Sequence, residues 1–482
     1  MEHACHPVSG CEPPCREPLG RPCARPHRQA WLRAPWAGPT AQCQAKGVAT
    51  GFLCWGCGWW LLGVQVLEVG PVRKLLIVVV ALFAALFAAS VWLLRRDSSP
   101  SPKLIILGID GLDSRMVSRL MAQGEIPALR ELYGRAAVGT IRNSDLGLPP
   151  VSPAIWTTFA TGALPNTHGI HGFVFKADRG WELFRSTNRK VPAFWEIVSQ
   201  AGKSVGVVNW WFSYPPEEIR GFLVTDRYFE AEVAGLSAIT YGRATGNEAP
   251  PTYPLELVGQ VRISRRQALP KVLSAADAAQ LDGTMLMLAY QAHQVVPVET
   301  LLIYLNGLDR VSHMAWDAQD QEGLGGNEVR QHIRNVDGFI ADVLRRAHVK
   351  SHLVILSDHG FEANQKNEGP RGIHESKEAA DSALILLAGP AIKAGVDLGA
   401  VSPLDVLPTL LALADVPLPE GIPGSILRQA FLPGARNFEA LEKRRRYARL
   451  PAVEGEIRAK GSATDAVDQA TKERLRALGY IE

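Results

Sequence analysis

The stretch Ser351–Glu362, SHLVILSDHGFE, decides the fold class. Its apolar run Leu353–Leu356 has the length of a strand, and Asp358 and His359 follow almost at once. A continuous apolar run bounded by a turn signal is typical of a strand that is buried on both faces. Because aspartate and histidine both bind metal ions, the stretch predicts that this strand ends at a functional edge of the sheet.

Similar apolar runs recur along the chain and alternate with helical patterns. The predicted strands are Leu104–Ile109, Ser204–Asn209, Phe222–Thr225, Leu301–Leu305, Leu353–Leu356 and Ala383–Leu387. The helical patterns include Ala193–Ala201, Glu328–Arg346 and Pro403–Ala414. This alternation predicts an α/β protein with a mostly parallel central sheet flanked by helices.

The 482 residues are enough for one large α/β enzyme domain with insertions. We predict a catalytic domain over residues 104–435, with an inserted cap at about 228–300 that is Pro-rich and then helical. Residues 95–103 are polar and rich in Ser and Pro, which is typical of a linker. Residues 436–482 are highly charged and are predicted to form a helical tail on the outside.

The segment Leu75–Leu94 is uncharged and long enough to cross a hydrocarbon core of about 30 Å. It predicts an N-terminal transmembrane helix that anchors the protein to a membrane. Arginines upstream favour a cytoplasmic amino terminus, which would place the catalytic domain in the periplasm or another extracytoplasmic space. A cleaved signal peptide is the alternative, with Ala-x-Ala-like sequence at Ala85–Ala89. The apolar run continues beyond it and then meets two arginines, so we favour the uncleaved anchor.

All seven cysteines lie in the first 57 residues. Cys54 and Cys57 form a Cys-x-x-Cys, but a single such motif is a weak zinc or redox signal. We therefore interpret residues 1–74 as a disordered leader or a non-native extension. The cysteine-free remainder suits an extracytoplasmic enzyme. A net charge of +3 without a basic, aromatic-rich stripe argues against binding of a nucleic-acid polymer.

Acidic and histidine residues stand where the predicted strands end. Ligands of open α/β sheets bind beyond the carboxyl ends of the strands. Each residue alone would be an ordinary turn or capping residue. As a set, nitrogen and oxygen ligands suit zinc, and carboxylates also suit manganese or magnesium. Six ligands exceed one tetrahedral ion, so we predict two divalent ions, the arrangement used in phosphoryl transfer. The six are Asp110, Asp309, His313, Asp358, His359 and His374.

The stretch LPPVSPAIWTTFATG supplies a candidate nucleophile, Ser152. Pro153 is favoured at the first position of a helix, so Ser152 is predicted at the N-cap, where the helix dipole favours an anion. The plain alternative is that Ser152 only caps the helix. Thr157 and Thr158 are competing nucleophiles, but they lie a turn or more inside the helix and should face the core or its flank.

These motifs together resemble the alkaline phosphatase superfamily, and most of all the type I phosphodiesterase/nucleotide pyrophosphatase branch in its bacterial membrane-associated form. The resemblance covers roughly Lys103–Phe431, in the runs IDG, SPAIWTTFATGALPNTHGIHGF, LNGLDRVSH, LSDHGF and GIHE. It implies an alkaline-phosphatase-like fold and a two-metal-dependent hydrolase of phosphoric esters, with zinc favoured and manganese or magnesium as alternatives. It also implies a phosphoseryl intermediate. One ion would be held by Asp110, Ser152, Asp358 and His359, with Ser152 as the metal-activated nucleophile, and the other by Asp309, His313 and His374.

The chain departs from this branch in two places. Nucleotide pyrophosphatases usually have a threonine nucleophile, whereas this chain has Ser152. They also carry a phosphate-binding asparagine about twenty residues later, whereas this chain has no asparagine at that place, near Phe173. His168 and His171 are predicted to fix a loop and not to bind metal. The aromatic run Trp210–Tyr214 is predicted either to pack in the core or to form a wall for the leaving group.

Several functions stay open on the sequence alone. The substrate would be a small phosphate ester or a lipid- or glycan-linked one. The alternatives are a phospho-group transferase to lipid or glycan, a phosphomonoesterase and an inactive binding scaffold. A sulfatase is disfavoured because SPAIW lacks the Cys/Ser-x-Pro-x-Arg pattern that yields formylglycine.

Overall fold

The computed structural model describes residues 54–55, 58–59, 78–84, 101–148, 151–177, 180–228, 251–261, 274–320, 322–365 and 369–453. Residues 1–92 form one unit, in which the described parts are a hairpin of Cys54–Trp55 with Gly58–Trp59 and a helical stretch at 78–84. Among the described residues, no helix has the length and apolar character that crossing a membrane requires. Most of the predicted leader, anchor and linker lies outside the described residues.

Residues 93–482 form the second unit, which is built on a nine-stranded sheet. Its strands, in chain order, are β1 Leu104–Ile109, β2 Ala136–Ile141, β3 Val205–Val208, β4 Gly221–Val224, β5 Thr252–Tyr253, β6 Thr300–Leu305, β7 His352–Leu356, β8 Ala383–Ala388 and β9 Val396–Val401. Across the sheet they follow the order β9-β2-β8-β7-β1-β6-β3-β4-β5.

The sheet is mostly parallel. Strand β1 at the centre pairs in parallel with β6 on one side and β7 on the other. Only β5 and β8 run against the remaining strands. The carboxyl ends of β1, β6 and β7 therefore meet at one edge, where the sequence predicts the ligands.

Helices connect the strands and cover both faces. They are α1 Ser114–Gln123, α2 Pro127–Tyr133, α3 Ser152–Thr161, α4 Pro165–His168, α5 Phe194–Gln200, α6 Leu257–Gln260, α7 Ala275–Val295, α8 Gly307–Ala315, α9 Gly326–Arg346, α10 Lys377–Ala380, α11 Val406–Leu413 and α12 Phe438–Leu441. Short 3₁₀ turns lie at Ser144–Leu146, Ser186–Asn188, Pro403–Asp405 and Arg428–Ala430. Two small hairpins, Val174–Ala177 with Gly180–Leu183 and Glu362–Ala363 with Gly372–Ile373, project from the loops.

The sheet is buried on both faces, as its apolar strands predict. Side chains of β1 alternate between two cores: Leu104 and Ile106 pack with helices α3, α5 and α11, whereas Ile105 and Leu107 pack with α1, α2, α7 and α9. Because both faces are filled by helices, the strand ends are the part of the sheet left open for chemistry.

The six strands predicted from the sequence are present within one or two residues, and the mostly parallel sheet is confirmed. The structure adds β2, β9 and the edge strand β5.

Part of the region predicted as a cap differs: α7 lies in the helical layer, with Leu281, Leu288 and Ala292 fully in the core. An apolar helical pattern predicts burial but not the surface that buries it. Residues 229–250 and 262–273 of the predicted cap lie outside the described residues.

The charged tail is helical only at α12 in its described part; residues 442–453 contain no other helix. Arg449 instead crosses to a buried pair of acids, Glu196 and Glu217, which also contact Arg189. Trp195 Nε1 donates to Glu217 Oε2 at 3.1 Å. Buried acids need such partners, because an unpaired buried charge is costly. The tail is therefore tied into the domain by charge.

Candidate metal centre and nucleophile

The candidate site lies at the carboxyl ends of the three central strands. Asp110 follows β1, Asp358 and His359 follow β7, and the turn of α8 that follows β6 carries Asp309. His313 lies one helical turn beyond Asp309, an i,i+4 spacing that places both side chains on one face. His374 follows the short strand Gly372–Ile373. All six predicted ligands are buried, and the structure brings them together.

Two groups of these side chains are close enough for an ion. Asp309, His313 and His374 offer ligand atoms within 4.8 Å of one another, and so do Asp110, Asp309 and His359. Asp358 Oδ2 lies 3.3 Å from His359 Nε2, next to the second group. Asp309 thus stands between the two groups, whereas the sequence resemblance placed it in only one.

The two histidines on either side of Asp309 are oriented as metal ligands usually are. His313 Nδ1 donates to the Gly372 carbonyl at 2.9 Å and His359 Nδ1 donates to the Gly360 carbonyl at 3.1 Å. A carbonyl can only accept, so the proton lies on Nδ1 and Nε2 faces the carboxylates. Metal-binding histidines are commonly fixed in this way by a backbone carbonyl.

The carboxylates also fit a cation. Asp309 Oδ1 and Asp358 Oδ2 are buried, and among the described residues they form no hydrogen bond of good geometry; each faces a histidine Nε2 at 3.3 Å. Buried oxygens without donors are costly unless a cation or a proton satisfies them. This donor set, three carboxylates and three imidazoles, matches the ligands that zinc takes and can also accept manganese.

In the absence of metal ions, protons take the place of the ions in the site. Burial disfavours the charged form of His359, but Asp358 and Asp110 outweigh burial and raise the pKa of His359 to about 10. Burial, helped by the charge of Asp110, raises the pKa of Asp358 well above its usual value. For Asp110, burial is outweighed by hydrogen bonds from His359 and Tyr304, and its pKa is lowered. An ion bound here would replace protons.

Ser152 points into this cluster. Its Oγ lies 3.2 Å from His359 Nε2 and 3.4 Å from Asp110 Oδ1. The predicted position in the helix was one residue out: Val151 is the N-cap and Ser152 is the first residue of α3. The amides of Ala154 and Ile155 donate to the Val151 carbonyl, so the serine side chain makes no cap and is free to face the ligands.

The competing hydroxyls turn away from the site. Thr157 Oγ1 donates to the Pro153 carbonyl at 2.7 Å and Thr158 Oγ1 to the Ala154 carbonyl at 3.0 Å. His168 Nε2 lies 3.2 Å from Thr158 Oγ1, and His168 Nδ1 accepts from the Ile170 amide at 3.1 Å. His168 therefore fixes its loop against α3, as the sequence predicts.

His168 also gives a test by pH. Burial, reinforced by His171, lowers the pKa of His168 to about 3. The folded protein keeps this ring neutral, while the unfolded chain takes up a proton near pH 6.5. Stability is therefore present above pH 6.5 and is lost as the pH falls toward 3. Between pH 7 and pH 5, the loss from this ring should be about 1–2 kcal/mol.

The measurement is denaturant unfolding of the wild type and of His168→Gln at both pH values. The variant should be less sensitive to the pH change by about that amount, whatever its absolute stability. Equal losses in the two proteins would contradict a neutral buried ring.

Several supporting residues were missed in the sequence. Asn143 Nδ2 donates to the Asp358 carbonyl at 2.6 Å and to the Ala380 carbonyl at 2.8 Å, which fixes the loop after β7. Asp282 accepts from the Gly307 amide at 3.0 Å and pairs with His332, which fixes the start of α8. Tyr304 donates to Asp110 Oδ2. No local pattern marks these residues, because their partners lie far away in the chain.

The aromatic run after β3 lies only partly in the core, and its predicted role as a wall for the leaving group stays a prediction. Trp210 is in the core, where its ring meets the edges of Trp156 and Trp195. Trp211 is only partly buried, packs against Phe173 with ring centroids 5.3 Å apart, and donates to Tyr304. Trp211 and Phe173 thus form an aromatic wall connected to Asp110 through Tyr304.

Comparisons with solved structures give distant likenesses. The murine ectonucleotide pyrophosphatase/phosphodiesterase 5, solved as an inactive variant in complex with AMP, is 11% identical over 70% of this chain and 98% of that chain, with a TM-score of 0.42. The human counterpart is 13% identical with the same coverage and a TM-score of 0.41. A phosphonoacetate hydrolase from Sinorhizobium meliloti 1021 is 17% identical over 56% of this chain, with a TM-score of 0.37. The match spans only 59% of that hydrolase.

The family comparison is more decisive. The model of the type I phosphodiesterase/nucleotide pyrophosphatase family matches residues 104–410, more than half of the chain and the whole stretch that carries the seven candidate site residues. The chain therefore belongs to the type I phosphodiesterase/nucleotide pyrophosphatase family and is a phosphoester hydrolase.

Proposed function

We propose that this chain is a two-metal phosphodiesterase or pyrophosphatase that uses Ser152 as its nucleophile. The observation that carries the proposal is the position of Ser152 Oγ, buried and 3.2–3.4 Å from His359 and Asp110. A hydroxyl in that position is adjacent to the residues that would activate it. A scaffold without activity would have no use for a serine aimed into a full ligand set.

Two divalent ions, zinc first and manganese or magnesium as alternatives, would be held by the predicted ligands. Asp110, Asp358 and His359 would hold the ion beside Ser152, and Asp309, His313 and His374 the other. When bound, such ions supply Lewis-acid stabilisation of phosphate charge and lower the pKa of a nearby hydroxyl. Ser152 Oγ would bond to phosphorus as the leaving alcohol or phosphate departs, and water would then cleave the phosphoseryl ester.

The substrate class that we propose is a phosphodiester. A phosphomonoester carries an additional charge, which calls for a further cation. At the position four residues after Ser152, Trp156 is fully buried against Tyr304. Arg227 is one candidate for this further cation, but its Cζ lies over the Tyr214 ring, 4.6 Å from the ring centroid. Lys377 is another candidate, and its side chain is exposed.

A diester instead offers a second ester group that an apolar surface can bury. Trp211 is partly exposed and is connected to Asp110 through Tyr304, so its ring can supply such a surface. Burial of apolar area contributes about 25 cal/mol per Å². A difference of at least about tenfold in rate requires only ~1.4 kcal/mol of differential transition-state binding.

We expect bis-aryl phosphate to have a kcat/KM at least about tenfold above that of the mono-aryl phosphate, with aryl sulfate below both. The measurement is a side-by-side hydrolysis assay with Zn²⁺ and with Mn²⁺. A higher kcat/KM for the monoester under both ions would replace the diesterase with a phosphatase.

We also propose that Leu75–Leu94 anchors the protein to a membrane, with the catalytic domain outside the cytoplasm. The support is the uncharged run of 20 residues and the arginines upstream of it. A reporter that functions only outside the cytoplasm, fused after Glu482, should be active. Activity of a cytoplasmic reporter at that position would reverse the orientation.

A further inference from the structure

Tyr304 lies where three parts of the site meet. It is the penultimate residue of β6, and in the sheet it pairs with Gly108 of β1. The Tyr304 ring meets the edge of the Trp156 ring, with centroids 4.9 Å apart. A Cβ at Gly108 would lie 2.8 Å from Trp156, so the glycine makes room for this packing. Trp156 lies one turn after Ser152 on α3. The Tyr304 ring therefore contacts the helix that carries the nucleophile and lies next to the strand that precedes Asp110.

The Tyr304 hydroxyl has a defined direction. Trp211 Nε1 lies 2.5 Å from the hydroxyl oxygen, and an indole N–H can only donate. The phenol has a single hydrogen, which is therefore directed to its other partner, Asp110 Oδ2. Hydrogen bonds run in one direction from Trp211 through Tyr304 to Asp110. Asp110 Oδ2 is thereby occupied as an acceptor, while Oδ1 faces Ser152 and His359.

Trp211 is itself held firmly in the loop after β3. Asn209 and Phe212 on either side have φ angles of 62° and 52°, a left-handed conformation that non-glycine residues rarely adopt. Asn209 Nδ2 donates to the Tyr304 carbonyl at 3.1 Å, and the Phe212 amide donates to Asp226 Oδ2 at 3.0 Å. Strained backbone persists when its surroundings require it, and here the result is the contact of Trp211 with Tyr304.

We propose that Tyr304 is a positioning residue that holds Asp110 in the orientation required to bind the ion beside Ser152, and that Trp211 holds Tyr304 in turn. The aromatic wall and the nucleophile side of the site are then one unit. This inference rests on the proposed function, because it takes Asp110 as an ion ligand. Partners that orient a ligand typically affect metal affinity or activity by 10–100-fold.

The test compares Tyr304→Phe, which removes only the hydroxyl, with the wild type in the full chain. Zn²⁺ affinity is measured by competition with a chelator, and kinetics with bis-aryl phosphate. We expect Zn²⁺ binding about 10–100-fold weaker and kcat lower by a similar factor, while KM changes less than about threefold. Tyr290→Phe is the matched control, because the Tyr290 hydroxyl is buried and has no hydrogen-bond partner in the described residues. It should bind Zn²⁺ like the wild type.

Trp211→Phe supplies the second variant, since it keeps a ring and removes the N–H. As a single variant, Trp211→Phe should weaken Zn²⁺ binding by more than about threefold. In the Tyr304→Phe background it should cause no further loss of Zn²⁺ affinity, because Trp211 acts on Asp110 through Tyr304 and the two effects are not additive. If Tyr304→Phe does not fold, the effect of Trp211→Phe on Zn²⁺ affinity decides. Wild-type Zn²⁺ affinity in the folded variants would overturn this inference alone. A wild-type protein that binds no Zn²⁺ or Mn²⁺ would overturn the proposed function as well.

Discussion

Ser152→Ala is expected to lower kcat by roughly 10³-fold or more, since removing a nucleophile leaves only binding and charge stabilisation. The fold should be unaffected. The Ser152 hydroxyl makes no helix cap, and its contacts in the described residues are with Asp110 and His359. The free energy of unfolding should change by about 1 kcal/mol or less. Turnover of bis-aryl phosphate and thermal unfolding measure the two quantities.

Thr157→Ala is the matched control for this variant. It removes a hydroxyl from the same helix, but one that donates to the Pro153 carbonyl and points away from the ligands. It should keep near-normal kcat. Near-normal activity in Ser152→Ala, combined with loss of activity in Thr157→Ala, would show that Ser152 is not the nucleophile.

Asp358→Asn is expected to lose bound metal and activity together. Loss of a residue that only orients a metal ligand typically lowers metal affinity or activity by 10–100-fold. Loss of the ligand itself should therefore lower kcat/KM by roughly 100-fold or more. Zn²⁺ at about 100 times its Kd should stabilise the wild type by about 2.7 kcal/mol, and the variant should lose most of that gain. Metal analysis and melting curves with and without Zn²⁺ give both results.

In the ion-free state the same variant should be about as stable as the wild type. Burial and the charge of Asp110 raise the pKa of Asp358, so the charged form of this side chain is disfavoured in the ion-free protein and its replacement by neutral asparagine should cost little. Asp337→Asn is a control at another buried aspartate, which accepts from the Ala128 and Leu129 amides. That control should keep its stabilisation by Zn²⁺. Full metal occupancy in Asp358→Asn would count against the site.

Much of this architecture could be predicted because the relevant signals are local. An apolar run followed by an aspartate is visible in a few residues, as at Asp110 and Asp358. Parallel strands then bring such ends together without further information. The same logic placed Asp309 and His313, whose spacing matches one helical turn. These local signals therefore suffice to predict the candidate ligands.

The supporting residues could not be found in this way, because their roles depend on register. Tyr304 is one aromatic in an apolar strand, and only the pairing of Tyr304 with Gly108 brings its hydroxyl to Asp110. Asn143 faces Asp358 across 215 residues of sequence. The helix α7 shows the same limit in packing: its pattern predicts an apolar face, while the sheet that receives this face is set by the rest of the chain.

The cluster around Glu196 and Glu217 has a consequence for the order of events in biosynthesis. Arg189 is made close in sequence to both acids, but Arg449 follows Glu217 by 232 residues and Glu196 by 253. A chain that is still emerging from the ribosome therefore holds two buried-site acids with only one of their two arginines. The charges balance only when the tail has been synthesised. Completion of this side of the domain therefore requires synthesis of Arg449, although all nine strands of the sheet are made earlier.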